Sequence, residues 1–146
     1  MNTTYTVKVA EDGSTYWYNQ DGELHRLNGP AATYPNGTQY WYRNDQKHRE
    51  DGPAIIYNSG EKHWFFEGKR HREGGPAVEG KGNHQWYRHG LLHREDGPAL
   101  ELNGSKSWYL DGVEYTEENF KRKLSRDGET FIIEGKTYKL TLVVKQ

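Results

Sequence analysis

The sequence predicts a mainly β fold: tandem antiparallel β-hairpins forming an elongated twisted sheet or solenoid, with a short C-terminal helix and a final hairpin. Three observations carry this expectation. The words His25-Arg26-Leu27-Asn28-Gly29-Pro30-Ala31, His48-Arg49-Glu50-Asp51-Gly52-Pro53-Ala54, His71-Arg72-Glu73-Gly74-Gly75-Pro76-Ala77 and His93-Arg94-Glu95-Asp96-Gly97-Pro98-Ala99 return every 22 or 23 residues, and self-similarity at such a period marks a repeat architecture. The five tryptophans (Trp17, Trp41, Trp64, Trp86, Trp108) keep the same beat, each four residues after a glycine. Finally, 32% hydrophobic content and a mean hydropathy of -1.15 suit no large core, yet 14% of residues are aromatic. An aromatic side chain buries roughly 150–250 Å², so a Trp and a Tyr or Phe per unit supply a thin, continuous core.

One domain is expected over residues 1–146, with five hairpin units in 1–115, a capping helix in 116–125 and a C-terminal hairpin in 129–144. The chain starts in phase, because Tyr5-Thr6-Val7-Lys8-Val9 alternates as a strand and Asp12-Gly13 turns it into Tyr16-Trp17-Tyr18. Segments such as Ala54-Ile55-Ile56-Tyr57 and Ala99-Leu100-Glu101-Leu102 then lead to Asn36-Gly37, Ser59-Gly60, Lys81-Gly82 or Asn103-Gly104 and on to the aromatic strand. Asn-Gly tolerates the positive φ of a two-residue type I′ turn, so each such stretch reads as a hairpin. In the second unit Asp45-Gln46 replaces the middle glycine, and the fifth unit has Tyr115 where the histidine should stand.

Asp-Gly-Pro or Asn-Gly-Pro joins consecutive hairpins, combining a side chain that bonds its own backbone, a residue free in φ and one fixed near -65°. A stack must solve the same interface at every step, which assigns the refrain to structure. On this reading Arg26, Arg49, Arg72 and Arg94 form ladders of salt bridges and carbonyl contacts between neighbouring units. The four histidines stack or hydrogen-bond beside the aromatic strand.

Thr116-Glu117-Glu118-Asn119-Phe120-Lys121-Arg122-Lys123-Leu124 has an N-cap, early acids and late bases, as a short helix prefers. It is expected to cap the open end of the stack. Glu129–Ile133 and Lys136–Val144, flanking Glu134-Gly135, form the final and most apolar hairpin, which either packs on the stack or drives self-association.

Composition excludes several classes. Without cysteine there is no disulfide framework, thiolate metal site or cysteine nucleophile, which fits a reducing cytoplasm. Neither a signal peptide nor a membrane span is expected. Twenty basic and 21 acidic residues interleave to a net charge of -1, unlike the footprint of a general nucleic-acid binder. Seven histidines suffice for a metal site by count, but the His89/His93 spacing brings ligands together only on a helix. Each His, Glu or Asp of the refrain has counterparts in other units, whereas catalysis needs a unique, desolvated group. No catalytic, cofactor or metal residue is assigned.

Positions that vary between units are free to serve a partner. After Trp stand Tyr18, Tyr42, Phe65, Tyr87 and Tyr109, but before it stand Tyr16, Tyr40, His63, Gln85 and Ser107. Strand alternation puts both sets on the face that Trp does not share. The stripe Tyr16, Tyr40 and His63 is the leading candidate for a partner surface, the alternative being that a second packed layer covers it, with Arg70, Arg88 and the cluster Lys121, Arg122 and Lys123 as cationic candidates.

The unit W-x-x-x-G-K-x-H-R-E-D-G-P-A, clearest over Trp64–Ala77, resembles the repeat of proteins carried by tailed bacteriophages and some bacteria. It is more distantly similar to the MORN repeat, from which it departs at Arg26, Arg49, Arg72, Arg94 and every Gly-Pro-Ala, so MORN lipid binding does not transfer. The phage resemblance implies a small accessory protein of the infected cytoplasm that binds or inhibits a host protein, including defence proteins. Three classes of function follow. The first is a non-enzymatic protein-interaction module. A second is a nucleotide or nucleic-acid binder using aromatic and Arg side chains. The third is a structural protein that forms homo-oligomers through its C-terminal hairpin.

Overall fold

The computed structural model describes residues 4–126, 130–133 and 136–139. Two strands open the chain, β1 (Thr6–Val9) and β2 (Thr15–Tyr18). Then follow β3 (Ala32–Thr33), β4 (Gln39–Tyr40), β5 (Tyr42–Arg43) and β6 (Gln46–Lys47), and next β7 (Ile55–Ile56), β8 (Lys62–His63), β9 (Phe65–Phe66) and β10 (Lys69–Arg70). The third group is β11 (Val78–Gly80), β12 (Asn83–Gln85), β13 (Tyr87–Arg88) and β14 (Leu91–Leu92); the fourth is β15 (Leu100–Leu102), β16 (Ser105–Leu110) and β17 (Val113–Tyr115). Helix α1 (Glu117–Arg126) comes next, then β18 (Thr130–Ile133) and β19 (Lys136–Lys139).

The architecture is the expected one, an open antiparallel sheet of 11 strands in the order β1-β2-β3-β4-β7-β8-β11-β12-β15-β16-β17. Beside it runs a second tier of two-stranded ribbons, β5-β6, β9-β10 and β13-β14. Each unit therefore holds two hairpins rather than one. The chain leaves the main sheet at its tryptophan and enters a ribbon at the next residue. Trp41 N–H donates to Ala54 O (2.8 Å) while its carbonyl accepts from His48 N–H (3.2 Å), and Trp64 and Trp86 repeat both bonds. Successive ribbons are linked as well: Arg49 N–H donates to Phe65 O and Gly68 N–H to Lys47 O.

Turn chemistry is distributed differently from the sequence expectation. Positive φ at both central residues, the type I′ signature, occurs at the ribbon tips Asn44-Asp45, Glu67-Gly68 and His89-Gly90 and at their counterpart Asp111-Gly112, which joins β16 to β17. Elsewhere in the main sheet only Asn103-Gly104 shows it. At Asn36-Gly37 and Ser59-Gly60 only the glycine is positive, and the loops are closed one residue earlier, by Tyr34 N–H to Thr38 O and Tyr57 N–H to Glu61 O. These are three-residue loops ending in a left-handed glycine. Proline at position 35 favours that form by holding its own φ negative.

Register divides the main sheet into two faces. Cross-strand pairs join Tyr16 to Ala32, Ala32 to Tyr40, Tyr40 to Ile55 and Ile55 to His63, so these side chains share one face, here the tyrosine face. Continuing the same register by one residue puts each refrain alanine between two tryptophans on the opposite, refrain face. Ala31, Ala54, Ala77 and Ala99 are fully buried, the small members of a row whose large members are indoles.

The refrain is a clamp within each unit. Arg26, Arg49, Arg72 and Arg94 lay their guanidinium carbons 3.7, 4.2, 3.8 and 3.9 Å from the ring centroids of Trp17, Trp41, Trp64 and Trp86. The same groups donate to the carbonyls of Pro30, Pro53, Pro76 and Pro98. A Cβ on Gly52, Gly75 or Gly97 would lie about 3 Å from the guanidinium (3.0, 3.0 and 3.1 Å), so glycine precedes proline because the cation occupies that space. This corrects the expected ladder between units: the arginine side chains stay at home, and the histidines reach across. His25, His48, His71 and His93 accept at Nδ1 from the backbone N–H of Asn44, Glu67, His89 and Asp111, each the first positive-φ residue of the next ribbon tip.

The helix begins as its sequence requires, with Thr116 Oγ1 accepting from Asn119 N–H (3.2 Å). It packs against β16 and β17 at the end of the sheet. Its Phe120, Lys121 and Leu124 line one cleft with Trp108, the tryptophan that has no refrain arginine, and Phe120 is buried. Strands β18 and β19 pair in register from Thr130↔Lys139 to Ile133↔Lys136. The expected turn Glu134-Gly135 and the apolar run from Leu140 onward lie outside the described residues. Among the described residues no helix is long and apolar enough to cross a membrane.

Candidate functional site: the tyrosine face

Two surfaces carry the chemistry. On the refrain face, successive clamps enclose grooves of about 660, 550 and 420 Å³. The largest is lined by Arg49, Asp51, Trp64, Phe66, Arg72 and His89. Its charges are already answered within the chain: Arg49 meets Asp51 at 2.7 Å, and Arg72 meets Glu79 at 3.0 Å. Hydrogen bonds from Arg49 and Arg94 hold the carboxyls of Asp51 and Asp96, respectively, below the usual aspartate range. The groove is a by-product of the clamp.

The tyrosine face is different. Tyr16 on β2, Tyr40 on β4 and His63 on β8 are brought together as parity predicts, but through two residues that the sequence reading missed. Tyr34 lies edge-on to Tyr16 (6.0 Å) and Tyr40 (5.6 Å), and Tyr57 stands between Tyr40 (6.1 Å) and His63 (5.2 Å). Tyr34 and Tyr57 close the three-residue loops, two residues beyond Ala32 and Ile55, hence on the same face. The alternation from those residues was the signal that could have found them. The four tyrosines are half-buried, each keeping part of its surface open to solvent. Crowding changes their acidity. Burial, followed by the hydrogen bond that the Tyr34 hydroxyl donates to Tyr16, pushes the Tyr34 phenol up to about 12; burial and Tyr57 push Tyr40 up.

His63 is the exception within the stripe, being buried at 7% exposure rather than presented to solvent. Its Nε2 meets Glu61 Oε1 at 2.6 Å, while Nδ1 is buried without a hydrogen-bond partner. Glycine at position 80 leaves room for this pair, since a Cβ there would stand 2.7 Å from Glu61 Oε2.

The ribbon tier extends this face. Tyr42↔Lys47 and Phe65↔Arg70 pair across β5-β6 and β9-β10, placing both cations beside the aromatic row. Lys47 Nζ is 5.4 Å from the Phe65 centroid, and the Arg70 guanidinium is 5.5 Å from those of Phe65 and Tyr87. Lys47 is a third residue that the sequence does not single out. Arg88 belongs to the opposite face, where it meets Asp111 at 2.8 Å and Glu95 at 3.5 Å. Lys121, Arg122 and Lys123 sit on α1 at the far end; Lys121 pairs with Glu117 (2.7 Å) and Arg122 donates to Asn119 (2.7 Å). The structure thus joins Tyr16, Tyr40, His63 and Arg70 in one surface and leaves the other candidates elsewhere. Among the described residues no group of three or more His, Asp or Glu side chains could hold a metal ion.

Compared with known proteins, the chain matches no family model, no curated protein and no solved structure.

Proposed function

We propose that this protein is a non-enzymatic interaction module that binds a protein partner through its tyrosine face. The observation that carries the reading is the contiguous ladder Tyr16-Tyr34-Tyr40-Tyr57, half-buried on an open sheet. Tyrosine supplies large, rigid contact area with a polar tip at low entropic cost, and it is enriched at interface centres. The rings also brace one another, so little order remains to be imposed on binding. A role as a phage accessory protein acting on a host protein is part of this proposal and rests on the resemblance of the refrain.

The test compares three immobilised proteins against lysate of a candidate bacterial host: wild type, Tyr34→Ser/Tyr40→Ser/Tyr57→Ser, and the refrain-face variant Arg43→Ser/Arg88→Ser. A stoichiometric partner retained by the wild type and the refrain-face variant, and lost by the folded tyrosine variant, supports the reading. Retention by the tyrosine variant contradicts it.

A further inference from the structure

Lys47 and Arg70 differ from the arginines of the refrain face near the centre of the sheet. Arg43, Arg49, Arg72, Arg88 and Arg94 all form ion pairs with carboxylates. Among the described residues Lys47 and Arg70 pair with no carboxylate; each rests on aromatic rings, and Arg70 Nε is buried without a hydrogen-bond partner. An aromatic bed orients a cation while leaving its charge unneutralised.

We propose that the row Lys47-Phe65-Arg70-Tyr87 is an anion-recognition site that takes a carboxylate-rich segment of the protein partner. This rests on the reading of the tyrosine face as a partner surface. Ribbon order places the Phe65 strand between the two cations, since Gly68 N–H bonds Lys47 O and Gly90 N–H bonds Arg70 O. Their strands are two spacings apart, about 10 Å. Carboxylates at alternate positions of an extended segment share one face about 7 Å apart, and the length of glutamate side chains makes up the remaining difference.

Acidic protein suits the surface better than nucleic acid. The ladder tyrosines meet edge-on, at interplanar angles of 90°, 69°, 80° and, toward His63, 74°, with Tyr40 and Tyr42 a stacked tyrosine pair (18°), so the row presents mainly ring edges and hydroxyls rather than a series of parallel platforms for bases. The chain's net charge of -1 also supplies no general field for a polyphosphate. Two local cations serve instead to choose register and partner.

The experiment titrates the full chain with fluorescein-labelled deca-glutamate, deca-lysine and a ten-nucleotide oligo-dT, reading anisotropy at 20 and 200 mM NaCl. Deca-glutamate is expected to bind at low salt, to weaken at least tenfold at high salt, and to weaken at least tenfold with Lys47→Glu/Arg70→Glu. Lys47→Gln/Arg70→Gln provides the same reading should the reversal fail to fold, and Arg43→Gln on the opposite face should leave binding unchanged. Three results would overturn the assignment: deca-glutamate binding no better than deca-lysine, equal binding by the double variants, or oligo-dT binding more tightly through these two residues. If the tyrosine-dependent capture of a host partner survives Lys47→Gln/Arg70→Gln, the anion site falls while the face itself stands. If capture ignores the tyrosines, the face falls first.

Discussion

Replacing Arg72 by alanine should cost about 2–3 kcal/mol of stability, because the structure gives that side chain three separate partners. The guanidinium sits 3.8 Å from the Trp64 ring centroid, partly shielded against Gly75, an arrangement contributing about 1 kcal/mol. Its bond to Pro76 O at 3.0 Å contributes about 1 kcal/mol more. The pair with Glu79 adds a few tenths at most, since the two side chains are 30% and 44% exposed and water screens them. Arg72→Lys keeps the charge but loses the flat stack and the fork, so about half the loss should remain. Arg88→Ala, which removes only exposed ion pairs, should cost under about 1 kcal/mol. Urea titration followed by tryptophan fluorescence measures all three. With a slope of about 1–3 kcal/mol/M, the Arg72→Ala midpoint should fall by roughly 1–2 M, provided the slope itself is unchanged. An Arg72→Ala variant no less stable than Arg88→Ala would refute the clamp and return the refrain to the search for function.

Acid should destabilise the fold in two steps. Burial first, then the stacked His89, lowers the His71 pKa below 6.5, so below about pH 6.5 the unfolded chain binds a proton that the fold resists. That contribution is intact above pH 6.5 and is lost as pH falls toward the lower folded value. Asp51, Asp96 and Asp111, held down chiefly by hydrogen bonds from Arg49, Arg94 and Arg88, contribute stability that is complete above their ordinary 3.8 and lost below it. Melting temperatures between pH 8 and 3 should show a plateau and then both declines, with the upper step absent in His71→Asn; a flat profile would contradict this. Gly80→Ala should break the 2.6 Å Glu61–His63 contact and cost about 1 kcal/mol net of the entropy that alanine gains. The cost should vanish in a Glu61→Ala background, and an additive double-mutant cycle would exclude the mechanism. In ultraviolet titration Tyr34→Phe should remove a phenol that ionises at about 12, not one at the ordinary 10.

Much of this fold was legible because its spacing is enforced by packing. The refrain alanines, the tryptophans and the strand parity placing Tyr16, Tyr40 and His63 together all follow from a repeat whose every step buries the same row. The ribbons were not legible. Glu67-Gly68 and His89-Gly90 look like spacers in the sequence, and nothing in a period of two tells where a strand leaves one sheet for another. The arginine contacts were expected between units rather than within them for a related reason: composition suggests ion pairs, whereas the Trp-Arg-Gly stack needs the three-dimensional return of Gly-Pro onto the indole. Lys47 escaped notice because a lone lysine in a polar stretch ordinarily means solvent. Only the approach of Phe65 from the next unit gives it a setting.

The two faces also solve different problems, and their difference supplies what a pure repeat lacks. On the refrain face each unit presents the same clamp, so a ligand bound there could shift by one unit and meet nearly the same contacts. On the other face the ribbon row runs Leu24, Lys47, Arg70, Leu92, Glu114, and the sheet row runs Tyr16, Tyr40, His63, Gln85, Ser107. A partner seated over Lys47 and Arg70 that slid one unit toward the helix would exchange a cation for Leu92; sliding the other way would exchange one for Leu24. Either shift removes half of the charge that its carboxylates meet. Specificity is a difference between such alternatives, and charge placed off-centre in a repeating frame creates it without altering the frame. Converting Leu92 to lysine should therefore loosen register, letting deca-glutamate bind in more than one position and raising its stoichiometry above one per chain in a calorimetric titration. A stoichiometry that stays at one while affinity rises would mean that a single extended site, not register, governs recognition on this face.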